Sequence, residues 1–109
     1  MKNNETEFAN QDERTRARLG EIESLLGEIK PCLPPYMEMR RYAMDSWIPG
    51  VRVVLSLGIW RREFLIEPHE EEEWSAYSKW CERFVLEQVG ELAKRYTKEL
   101  LNYGKEEKK

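Results

Sequence analysis

Val51-Arg52-Val53-Val54-Leu55-Ser56-Leu57-Gly58-Ile59-Trp60-Arg61-Arg62-Glu63-Phe64-Leu65-Ile66 is the stretch whose reading decides the fold. It is dense in β-branched and aromatic residues with one glycine near its middle, the composition of a β-hairpin. Two registers compete. A two-residue turn at Gly58-Ile59 is sound turn chemistry, but it leaves Ile59 at the tip and sets Arg62 among apolar residues. A four-residue turn over Trp60-Arg61-Arg62-Glu63 puts Val51, Val53, Leu55, Leu57, Ile59, Phe64 and Ile66 on one face. A slip of one residue moves every side chain to the other face, and the four-residue turn buries no charge, so it is the expected register. It projects Arg61 and Arg62 from the tip beside Trp60.

On the N-terminal side, residues 36–44 alternate like an edge strand, although Met37, Glu38, Met39, Arg40 and Ala43 are also good helix formers. A two-stranded sheet is marginal by itself, and a third strand here is the expectation. The alternative is a helix over 36–44, leaving a two-stranded hairpin with three helices. Residues 45–50, Asp-Ser-Trp-Ile-Pro-Gly, then form the connecting loop.

Helices flank this region. Leu19, Ile22, Leu26 and Ile29 recur at steps of three and four, one apolar stripe of a helix over 12–29. Asp12 is its N-cap, and Pro31, Pro34 and Pro35 end it. The last helix is expected over 70–103, with Gly104 as its stop. Trp74, Tyr77, Cys81, Phe84, Val85, Val89, Leu92, Tyr96, Leu100 and Tyr103 make its stripe, and Glu70 to Glu73 put negative charge at its N-terminus. A helix of this length measures about 50 Å, against about 35 Å for a compact domain of this size. One end should overhang. Trp80, Leu86 and Leu101 lie off the stripe or at its edge and, with Tyr103, are the residues expected to contact a partner chain.

The order is therefore α-β-β-β-α: an α+β domain over 12–104, with a loose tail at 1–11 and a charged tail at 105–109. Double-stranded RNA-binding domains share this order, but they bind phosphate with lysines opening the last helix, where this chain carries Glu70-Glu71-Glu72-Glu73. Element order alone transfers no function.

The 109 residues hold 18 Lys+Arg against 21 Asp+Glu, a net charge of −3, which argues against a basic coat over the whole chain. The longest nearly uncharged apolar stretch, residues 53–60, is under half of the roughly 18 residues a membrane span needs. The N-terminus lacks the apolar segment of a secretory signal, so the expected location is cytoplasmic. Asn and Gln are scarce while Glu, Lys and Arg abound, a thermophile-like bias. The chain's size and make-up also suit an accessory protein of a virus or mobile element.

Catalytic and metal chemistry find little to build on. His69 is the only histidine, and Asp12 and Asp45 are the only aspartates. Cys32, Cys81 and His69 lack paired metal-ligand spacing, and no phosphate-cradling glycine motif occurs. No cofactor, metal or small-molecule substrate is implied, and Cys81, on the apolar side of the last helix, reads as a buried thiol. The expectation is a non-catalytic interaction module, homodimeric through its C-terminal helix, with Trp60 and Arg61 at a second surface. The alternative is nucleic-acid binding through Arg40, Arg41, Arg52, Arg61 and Arg62 on an arginine- and aromatic-rich sheet surface that also holds Tyr36, Tyr42 and Trp47.

Overall fold

A computed structural model of the chain describes the backbone of residues 2–44 and 48–107, and side chains for 13–43 and 48–102. The element order is α1 (Lys2–Ile29), a short 3₁₀ turn (Lys30–Cys32), β1 (Met37–Met44), β2 (Gly50–Leu57), β3 (Trp60–Ile66) and α2 (Trp74–Glu107). The fold is α+β, in the order α-β-β-β-α. Residues 36–44 supply a strand, and the helical alternative is excluded.

The sheet is an antiparallel meander, β1-β2-β3. Its hairpin register differs from the expected one. Leu57 pairs with Trp60, Leu55 with Arg62, Val53 with Phe64 and Val51 with Ile66, so the turn is Gly58-Ile59. Gly58 has φ 64°, the left-handed conformation that glycine adopts freely at the first position of a type II′ turn. Ile59 is 87% exposed at the tip. The objection to this register was a charge buried at Arg62. It fails because β3 is an edge strand, where Arg62 stays exposed and donates a hydrogen bond from Nε to Gln88 Oε1 of α2. Arg61 and Arg62 consequently do not share a tip; they point to opposite faces of β3.

Both helices pack on one face of the sheet. The core gathers Leu19, Ile22, Leu26 and Ile29 of α1, Met37 and Met39 of β1, Val51, Val53, Leu55 and Leu57 of β2, Ile66 of β3, and Tyr77, Cys81, Val85, Val89 and Leu92 of α2. The helices run in the same direction. Arg18 of α1 stands beside Trp74 and Tyr77 at the start of α2. At the other end, Tyr96 meets Trp60 edge to face, with ring centroids 5.4 Å apart, beside the hairpin tip. The molecule is elongated, 73 × 26 × 17 Å.

The helix boundaries also depart from expectation. α1 is helical from Lys2, so residues 2–11, expected as a loose tail, continue it. Phe8 is the one large apolar side chain among residues 2–11, so no apolar period announces helix there. α2 starts at Trp74, not at residue 70. The Glu73 carbonyl accepts the first bonds, from the Ala76 and Tyr77 amides, because residues 68–72 are held in a loop. It also runs past Gly104 to Glu107, through the start of the expected charged tail.

Arg18 holds that loop. The residue is 6% exposed, and Nη1 donates to the carbonyls of Pro68 (3.1 Å) and His69 (2.7 Å). Nη2 donates to the Glu72 carbonyl at 2.5 Å. Nε lies 3.6 Å from Glu21, and the rings of Trp74 and Tyr77 stand 5.4 and 5.5 Å from the guanidinium carbon. Lysine has three donors on one nitrogen but lacks the planar fork that spreads them over three carbonyls. Arg18→Lys should lower unfolding stability by about 2–4 kcal/mol in urea titrations, since it leaves buried carbonyls without donors. Gly58→Ala, which forces a side chain into the left-handed region, should cost about 1–2 kcal/mol by the same measurement.

Candidate functional site

Two surfaces remain uncovered. The first is the sheet face opposite the helices. The strand pairings arrange it in three rows: Glu38, Ser56 and Arg61; Arg40, Val54 and Glu63; Tyr42, Arg52 and Leu65. Arg40, Arg52 and Arg61 are brought together here, but Glu38 and Glu63 alternate with them, and Arg52 Nη2 is 3.8 Å from Glu63 Oε2. Arg41 and Arg62 face the helix side. Arg41 reaches α1, where Nη2 would lie 3.6 Å from a β-carbon placed on Gly27, and Arg62 bonds Gln88. The five arginines are thus split three and two by strand alternation. Tyr42 is exposed on the open face, whereas Tyr36 precedes β1 and Trp47 lies outside the described residues.

The second surface is the outer side of α2. Leu86, Leu100 and Leu101 are 48%, 52% and 62% exposed. The side chain of Tyr103 lies outside the described residues. Trp80 does not share this side. It is stacked between Tyr77 and Phe84, with centroids 5.7 and 5.2 Å apart and planes within 8°. Phe84 in turn meets Phe64 of β3 edge to face at 5.3 Å. Six residues separate Trp80 from Leu86, which puts them on different helix faces. Trp60 is half-buried against Tyr96 and the core, so little of it is left for a partner.

The sequence reading missed Arg18 and the row Tyr77–Trp80–Phe84–Phe64. Arg18 had left a signal, a charged residue one turn before Ile22 on an otherwise apolar face. In the aromatic row, the three-and-four spacing of Tyr77, Trp80 and Phe84 was visible, and only the contact with Phe64, from another element, left no signal.

His69 sits in the loop that Arg18 holds, with φ 45° and its ring 5.2 Å from Tyr77. Carboxylates of Glu67, Glu71 and Glu72 stand 3.6, 3.6 and 4.0 Å from its nitrogens. It faces a shallow, open dent shared with Ile48, Pro49 and Pro68. Among the described residues, no three His, Cys, Asp or Glu side chains are grouped to hold a metal ion.

Cys81 is fully buried and both cysteines are free thiols. Burial pushes the Cys81 thiol up, against the Tyr77 hydroxyl and Arg18, which act the other way. Burial also raises the Tyr77 hydroxyl, which donates to the Glu67 carbonyl. Comparison with protein-family models, characterised proteins and solved structures returns no match.

A thiol reagent such as 5,5′-dithiobis(2-nitrobenzoate) should therefore titrate one thiol in the native protein, exposed Cys32, and two in denaturant. Two fast equivalents without denaturant would contradict the burial of Cys81. Since folding holds Cys81 and Tyr77 neutral, their contribution to stability should be level below pH 9.0, the ordinary value for such a thiol. It should fall as pH rises beyond that, the unfolded chain losing its protons first.

Proposed function

We propose that this protein is a non-catalytic interaction module that acts as a homodimer joined through α2. The observation that carries the reading is that α2 outruns its own domain. Its contacts with the sheet end at Tyr96, against Trp60 and Gly58, and the helix continues to Glu107. Those last eleven residues form about three turns that extend α2 past the last of its ring contacts with the sheet. They include Leu100 and Leu101, both more than half exposed. A helix end of this kind is stabilised by packing against another surface, and a second copy supplies one.

The open sheet face supports a different reading, nucleic-acid binding, through Arg40, Arg52, Arg61 and Tyr42. It is the less supported of the two, because counterion release needs clustered positive charge, and this face interleaves three arginines with two glutamates. No described helix is long and apolar enough to cross a membrane, which is consistent with a cytoplasmic setting.

Sedimentation at micromolar concentration should show a species of twice the 13.1 kDa chain mass. Leu86→Glu with Leu101→Glu should reduce it to the single chain without loss of helical circular dichroism, since both side chains are exposed in the lone subunit. A single-chain species for the unaltered protein at all concentrations would refute the dimer. Labelled DNA and RNA titrated at about 50 mM salt should show no binding that Arg40→Ala plus Arg61→Ala abolishes.

A further inference from the structure

The sheet ends on one side at β1, which pairs with β2 alone. Leu57 and Trp60 close the two-residue turn, so their backbones bond each other, and bonding alternates along β2 from there. Ser56, Val54 and Arg52 therefore turn their peptides toward β1, where they meet Glu38, Arg40 and Tyr42. The peptides of Met39, Arg41 and Ala43 turn outward. An edge strand of 8 residues with no proline and an unbroken register is a template for another strand.

Along the open face this edge reads Tyr36, Glu38, Arg40, Tyr42. Tyr36 is 92% exposed and is held at φ 69°. It is the third residue of a turn closed by the Met37 amide on the Pro34 carbonyl at 3.2 Å, a position that ordinarily falls to glycine. A large ring thus stands in solvent at a strained backbone position directly before the free edge.

We infer that β1 pairs with β1 of a second copy, antiparallel about a two-fold axis at Met39, joining two three-stranded sheets into one. The row is its own complement when reversed. Glu38 of each copy lies opposite Arg40 of the other, and Tyr36 comes level with Tyr42. Both ion pairs fall at non-bonded positions, where facing side chains stand closest. The Met39 amides bond each other's carbonyls, and each Arg41 amide bonds the Met37 carbonyl of the other copy. Sliding the copies by one step of the pleat opposes Arg40 to Arg40 or Glu38 to Glu38, so charge selects the register. On the helix side Arg41 lies opposite Met37, and the two Arg41 positions are about 13 Å apart along the strands.

The helices leave room for this seam. α1 packs on β1 and β2 alike, so its axis runs about half a strand spacing inside β1. With strands about 4.8 Å apart, the two α1 axes come about 10 Å apart, an ordinary packing distance for helices. α2 packs on β2 and β3, away from the seam, so a chain can make this contact and the α2 contact together. The β3 edge lacks the self-complementary pattern. There the register that opposes Arg61 to Glu63 also opposes Arg62 to itself, and Arg62 and Phe64 are already held by Gln88 and Phe84 of α2.

One short strand per copy makes a small contact, so pairing should appear at about 1 mM rather than at micromolar concentration. The Leu86→Glu, Leu101→Glu protein, with its α2 contact disabled, isolates it. At the higher concentration sedimentation should show a two-chain species, which dilution returns to the single chain. Adding Glu38→Arg, or Arg40→Glu, opposes like charges across the seam and should weaken association about tenfold or more. Mixing those two proteins restores opposite charges at every pair and should restore the two-chain species. Amide exchange should be slower at Met39 and Arg41 than in the Glu38→Arg protein at equal concentration, while the Arg40 amide, bonded to β2 in both, exchanges alike. A single chain at the higher concentration, indifference to the charge reversals, a mixture that stays apart, or unslowed Met39 and Arg41 amides would each overturn the strand pairing. None of these bears on the α2 homodimer, which the unaltered protein tests at micromolar concentration, and a single chain there leaves this proposal standing.

Discussion

The placement of both helices depends on one buried cation. Arg18 takes its charge into the packed region between α1, the 67–72 segment and the start of α2, a location that is costly unless the charge is hydrogen-bonded, and only its Nε finds no hydrogen-bond partner among the described residues. The loop answers with three carbonyls, at Pro68, His69 and Glu72. Those carbonyls are within its reach because the chain does not continue as helix through residues 70–73, although that of His69 also accepts the Glu72 amide. The same set of contacts explains why α2 begins at Trp74, why His69 is held at φ 45°, and why Trp74 and Tyr77 stand beside the guanidinium. Thr15 Oγ1, 3.4 Å from Glu70 Oε1, ties the adjoining turn of α1 to the same loop. With the Arg18 turn of α1 fixed beside the start of α2, their parallel course over the sheet follows, and so does the offset of their ends.

The sheet depends on a second, weaker constraint, the turn at Gly58-Ile59. Gly58 supplies the positive φ, and the two-residue loop then sets every pairing between β2 and β3. One consequence is the division of the arginines. Alternation along β1 sends Arg40 out and Arg41 in, and along β3 it sends Arg61 out and Arg62 in. Pairs that are adjacent in sequence therefore cannot build one basic surface. Edge positions make the inward members tolerable, because a long arginine stem can pass the rim of the core and keep its head in contact with α1 or α2.

Much of the fold was legible in the sequence. The 3.6-residue period marked α1 from Leu19 to Ile29 and α2 from Tyr77 to Leu92, and the β-branched run marked the hairpin. What was not legible has physical causes. The helical course of residues 2–11 leaves no apolar stripe to detect. The register was misjudged because burial of Arg62 was assumed without knowing that β3 is an edge strand. The start of α2 depends on a residue more than fifty positions away, which no local pattern reveals. Of the surface residues, Leu86, Leu101 and Trp80 are exposed as expected, Trp80 while stacked between Tyr77 and Phe84, whereas Trp60 is largely occupied by Tyr96. A large aromatic off the main stripe looks the same in sequence whether it awaits a partner or packs on its own helix.

The two uncovered surfaces differ in what water can do for them. On the open sheet face, Glu38, Arg40, Arg52, Arg61 and Glu63 are hydrated and partly paired across strands, as Arg52 with Glu63 shows. An antiparallel sheet with one wet face is complete as it stands. The outer side of α2 is different. Past Tyr96 its backbone hydrogen bonds have no sheet to shield them, and its leucines gain nothing from solvent. Its glycine and alanine positions allow the approach of another backbone without presenting polar groups to hydrate. Exposed leucines carried on a helix end that its own domain does not support gain from burial against another surface.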